Sequence, residues 1–186
     1  MDYADNSYRS VNTGSEISIS GTTGKFGLQY EQKLGGNVSM VLGATYRLGT
    51  DMKGYPTEYR YANLSSVTDT LRYNVDTLAR SGIRIADEVS VGIALKGGDK
   101  WSAEFNYSRS DWTKSGFDKA PGFAVSGTSK FTSTVSQSYR AGFEITPNRN
   151  DIRYFLKRCT YRGGVYHEQS YYKLDGNNVN STGITL

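Results

Sequence analysis

KFGLQYEQKL, residues Lys25–Leu34, decides how this chain is read. Phe26, Leu28, Tyr30, Gln32 and Leu34 fall on one face of an extended chain. Gly27, Gln29, Glu31 and Lys33 fall on the other. Alternation at period two marks a β-strand with two unlike faces. Gly35-Gly36-Asn37 turns the chain, and VSMVLGATYRLGT, residues Val38–Thr50, alternates again. Val38, Met40, Leu42, Ala44, Tyr46 and Leu48 oppose Ser39, Val41, Gly43, Thr45, Arg47 and Gly49.

The same pattern recurs downstream. It is expected at Glu88–Lys96, Trp101–Trp112, Val135–Thr146 and Thr160–Leu174, and Ser181–Leu186 opens a further strand. Tight turns are expected at 35–37, 97–100, 147–151 and 176–178. Residues 153–159 break the alternation and are expected to run along a rim. Two polar stretches, Asp51 to about Ala86 and Thr113–Thr134, read as long connections. The spacing puts the long connections at one end of the sheet and the short hairpin turns at the other. That asymmetry is a habit of outer-membrane barrels, whereas soluble sandwiches mix loop lengths at both ends.

Composition agrees with β-structure. Among 186 residues there are 15 Tyr, 7 Phe, 2 Trp and 21 Gly, with 3 Pro. So many aromatics exclude a disordered chain, and so many Gly and Tyr exclude a helical bundle. The net charge of +4 comes from interspersed charges, not from a basic run, so no nucleic-acid footprint is expected. No 18-residue apolar stretch offers a membrane helix, and the N-terminus has no apolar signal core. Neither point bears on a β-barrel, whose strands cross with about 9–11 residues and one apolar face.

The chain is therefore expected to be all-β: an antiparallel up-and-down transmembrane β-barrel. Six strands and the start of a seventh, with long loops at one end, make residues 1–186 part of a single barrel domain. Its plug and closing strands would lie elsewhere, because an open sheet edge has no water to bond inside lipid. Apolar faces would meet the bilayer of the bacterial outer membrane, and Gly- and Ser-rich faces the lumen. Tyr46, Trp101, Trp112, Tyr139 and Tyr161 would form interfacial girdles.

Four charges on the inferred lumen faces, Arg47, Glu104, Arg140 and Glu144, are the candidate lining. The competing reading makes them a structural network of ion pairs. Arg140 and Glu144 share one strand face about 13 Å apart, so each should reach a neighbouring strand, not the other. No catalytic residue, metal site or cofactor is expected. His167 lacks a partner constellation, Cys159 reads as a small apolar filler, and no nucleophile elbow or phosphate loop appears. Asp51, Asp69, Asp76, Asp87 and Asp111 lack the twelve-residue spacing of a calcium loop.

Lys25–Glu31 followed by Leu42–Tyr46 resembles a strand pair of the FadL/TodX-type outer-membrane transporters. Arg153–Gly164 resembles the versions found in Bacteroidetes-like bacteria. The resemblance implies a 14-stranded barrel with an N-terminal plug, passing hydrophobic small molecules such as long-chain fatty acids or aromatic hydrocarbons without a cofactor. None of that family's gating residues carries over. Two alternatives stand beside transport: a barrel that docks or anchors within a secretion or surface-assembly machine, and a soluble β-sandwich binding module. An enzyme ranks last.

Overall fold

The computed structural model describes residues 9–64, 67–75, 82–119 and 130–186. Seven long strands dominate: β2 (Lys25–Gly35), β3 (Val38–Arg47), β8 (Glu88–Gly97), β9 (Trp101–Asp111), β11 (Val135–Ile145), β12 (Tyr161–Leu174) and β13 (Asn177–Thr185). They pair antiparallel in that order, each with the next, as an up-and-down meander. This fits the expected order of strands. The alternation was legible because each strand must present one apolar and one polar face. No closed barrel forms among the described residues.

Three expectations are corrected. First, residues 51–86 are not simply a loop. They hold β4 (Thr50–Asp51), β5 (Lys53–Leu64), β6 (Val67–Val75) and β7 (Arg84–Ile85). With β1 (Arg9–Ser20), β5 and β6 make a three-stranded sheet in the order β1-β5-β6, and β4 pairs β7. Second, the strand expected to run to Thr50 stops at Arg47, where Gly49 lies tight against the backbone of Ile85 and Asp87. Third, one short turn sits at the long-loop end. Asp175 and Gly176 both have positive φ, 51° and 82°, and join β12 directly to β13. Asp-Gly suits a two-residue turn with positive φ at both central positions.

The β2–β3 hairpin does not end where its alternation ends. Leu48 N–H donates to Gly24 O (2.9 Å) and Thr50 Oγ1 to Thr22 O (3.0 Å). These bonds carry the ladder into β1 and β5, which pair without a slip from Ser20↔Lys53 to Arg9↔Leu64. Twelve paired residues span roughly 40 Å. β10 (Phe131–Ser133), just ahead of β11 in the chain, pairs the far end of β12 on the side that β11 occupies. One turn of helix, α1 (Phe155–Arg158), lies in the connection from β11 to β12, on the rim stretch where the alternation breaks.

Almost no core is present. Among the described residues only Ile83 and Ala86 are buried apolar side chains. Both belong to a small knot at the long-loop end. Met52 N–H donates to Ile83 O, and Arg84 N–H to Ser115 O, each at 2.8 Å. The tilted rings of Trp112, Phe117 and Tyr171 cluster beside it, with centroids 5.3–6.5 Å apart. Trp112 therefore belongs to this cluster. Trp101 and Tyr161 sit near the short-turn end, and Tyr46 near the long-loop end.

Candidate functional site

Register fixes what each face carries, because residues opposite one another across a ladder share a face. On one face, Lys25, Arg47, Glu88, Ser110 and Ser136 form a row across five strands. The next row runs Gly27, Thr45, Ser90, Ser108, Ser138, Glu168 and Ser181. This polar face is concave. It bounds two open troughs of about 760 and 790 Å³, and Glu104 and Arg140 border both.

The four sequence-predicted charges all lie on this face, three of them in separate ion pairs. Arg47 Nη2 lies 3.1 Å from Glu88, which Lys25 also approaches at 3.6 Å. Arg140 pairs with Glu168, which also accepts from Ser138 Oγ at 3.3 Å. Arg162 Nε donates to Glu144 at 2.6 Å. Arg140 and Glu144 thus bind neighbours on β12 and not each other, as the spacing along one strand requires. Glu104 has no ion-pair partner among the described residues. Its side chain lies flat over Gly142, where an added Cβ would stand 3.4 Å from it. Glu88, Glu168 and Arg162 were missed by sequence reasoning. Register was the signal: Arg162 stands directly opposite Glu144, and Glu88 opposite Arg47.

Glycine on this face makes room for large neighbours. Asn106 lies over Gly92, and the Tyr166 ring over Gly183. A bulky side chain folded across a glycine covers the bare backbone and keeps the trough open.

The opposite face is apolar and unpacked. Leu28, Ala44, Val91, Tyr107, Tyr139, His167 and Thr182 form one row. Tyr30, Leu42, Ile93, Phe105, Ala141, Val165 and Ile184 form the next. The row above both runs Phe26, Tyr46, Val89, Arg109, Gln137, Gln169 and Asn180. The upper row is apolar in three strands, the middle row in five and the lower row in all seven. The upper edge of the apolar band therefore descends from β2 towards β13. Its members are open to the surroundings, Leu28 by 76 % and Ile184 by 75 %.

At the long-loop end, Asp87 ties the knot to the sheet. It accepts from Gly49 N–H (2.7 Å), Tyr46 Oη (3.1 Å) and Arg84 (3.5 Å). Those donors, the Gly49 amide foremost, hold its carboxyl below the usual carboxylate range. Asp87 is thus an anchor between the knot and the sheet. Asp51 pairs with Arg84, and Asp111 accepts from Thr113. Asp69 lies in β6, and Asp76 lies outside the described residues. No cluster of three His, Cys, Asp or Glu able to hold a metal occurs among the described residues. His167 Nδ1 sits 2.8 Å from Thr182 Oγ1, and Cys159 Sγ 3.6 Å from Phe155 O.

These features define a class: an antiparallel β-meander with a charged concave face and an apolar face that nothing among the described residues covers. The chain belongs to the BamG family, whose model matches residues 2–186. Comparison with curated proteins and with solved structures finds no match. The family corrects the resemblance to FadL/TodX transporters. The runs that carried that resemblance are structural. Lys25–Glu31 and Leu42–Tyr46 are facing strands whose alternation any two-faced sheet needs, and Arg153–Gly164 is the helical turn and the start of β12. Passive transport of hydrophobic molecules loses the support it drew from them.

Proposed function

We propose that this chain is the wall of an outer-membrane β-barrel that serves as a docking or anchoring component of the machinery assembling other barrels. The membrane part rests on one observation, the apolar band. A soluble domain rarely leaves so large a continuous apolar face uncovered. The band's edge also descends across successive strands, as tilted strands crossing a flat apolar slab require. The assembly part rests on the family: the name BamG points to the barrel-assembly machinery. The proposed role is structural, with no catalytic step. The ion pairs of the concave face brace the wall.

The test uses the complete protein in its native membrane. Tagged protein, extracted in detergent from the outer membrane, is expected to bring down other assembly subunits, and its depletion to lower several unrelated outer-membrane proteins together. Barrel proteins at normal levels, with impaired uptake of a labelled fatty acid, would return the reading to transport.

A further inference from the structure

We infer that the connection from β11 to β12 is an interfacial anchor that seats in an anionic phospholipid leaflet at the short-turn end of the sheet. The inference rests on the membrane reading above and adds a contact which that reading does not need. Four apolar residues in this connection are largely exposed: Ile152 by 95 %, Phe155 and Leu156 each by 68 %, and Tyr154 by 59 %. They are nevertheless held in one shape. Asn148 N–H donates to Lys157 O at 2.8 Å. Asp151 accepts from the Arg153 and Tyr154 amides at 2.9 and 2.8 Å. A built turn that displays apolar side chains calls for an apolar neighbour.

Two observations select lipid. The first is continuity. Tyr161 Oη donates to Leu156 O at 2.9 Å. Tyr161 stands opposite Ile145, which stands opposite Trp101 at the lower end of the apolar face. The turn therefore borders that face. The second is charge. Arg149, Arg153, Lys157 and Arg158 surround the apolar residues, against one carboxylate, Asp151, which Lys157 approaches at 3.7 Å. Lys157 lies over the Tyr154 ring at 4.6 Å, and Arg158 lies 5.5 Å from the Phe155 ring centroid. Exposed aromatic and aliphatic groups interleaved with cations are what seats a segment at a phosphate-bearing interface. A protein partner is the weaker reading, since one helical turn falls well short of the roughly 800 Å² per side of a stable protein interface.

The experiment labels the complete protein with a nitroxide, reconstituted in phosphatidylcholine vesicles with or without phosphatidylglycerol. One label is placed by Leu156→Cys in a Cys159→Ser background, and a control by Phe143→Cys on the apolar face. In the presence of phosphatidylglycerol, the label at 156 should be several-fold more accessible to oxygen than to a water-soluble nickel chelate. Arg149→Gln with Arg153→Gln and Arg158→Gln should abolish the dependence on phosphatidylglycerol. A label at 156 open to nickel in both vesicles, with 143 shielded, would overturn the anchor and leave the membrane wall standing. Nickel access at both positions would overturn both readings. Shielding at 156 only in a purified multiprotein complex would reassign the turn to a protein partner.

Discussion

Single residues here act through what lies flat against them. Tyr166 covers Gly183, so a side chain at that position collides with the ring. Gly183→Val is expected to cost about 1 kcal/mol, as overpacking does. Combining it with Tyr166→Ala should recover most of that loss, which a double-mutant cycle in chemical unfolding would read. Asp87 works through hydrogen bonds. Asp87→Ala should raise amide exchange at Gly49 several-fold, while Asp87→Asn, which keeps an acceptor oxygen, should raise it less. Its pH dependence has a definite sign. A carboxyl held below its ordinary value in the fold contributes stability that is full above the ordinary carboxylate range and lost as the pH falls through the lowered one. Protection of Gly49 should stay level from neutral pH to about pH 5 and fall in more acid solution. The ion pairs were half legible. Arg47, Arg140 and Glu144 could be assigned to a face by parity alone. Their partners depend on register, which turn length and bulges decide.

At the scale of elements, six strands and the opening of the seventh, from Ser181, were readable because their two faces differ; β13 in fact begins at Asn177. β1 and β5 were not. RSVNTGSEISIS holds only three aliphatic residues, and the large side chains of KGYPTEYRYANL are chiefly tyrosines, so the contrast between their faces is weak. Pro56 argued further against a strand. It is accommodated because β6 pairs β5 only from Thr57 onward, leaving Pro56 paired on one side. The three-stranded extension is expected to be separable from the sheet. Replacing residues 53–75 by a short Gly-Ser linker should leave the β8–β9 and β11–β12 ladders intact. Unchanged amide protection in those strands would establish it, and their collapse would show that the extension is needed to fold the wall.

For the whole molecule, the two faces make opposite predictions for one kind of substitution. Ile93→Arg puts a charge in the middle of the apolar band. It should cost about 2–4 kcal/mol of folding stability in phospholipid vesicles. Ser108→Arg puts the same charge in the trough and should cost less than about 1 kcal/mol. Equal effects at the two sites would contradict a wall with lipid on one side. The proposed assembly role was legible only as an alternative, because alternating faces describe every barrel wall and say nothing of what the barrel serves. The residues that would specify a partner carry no pattern that propensity or period can detect.

The two ends of the meander are finished differently, and this governs approach from the long-loop end. Over β2 and β3 the ladder continues for twelve more residue pairs, while β12 and β13 close on Asp175 and Gly176. A bulky visitor such as an antibody fragment meets a tall parapet on one flank and a low sill on the other. Clearance alone would steer it to the β12–β13 side.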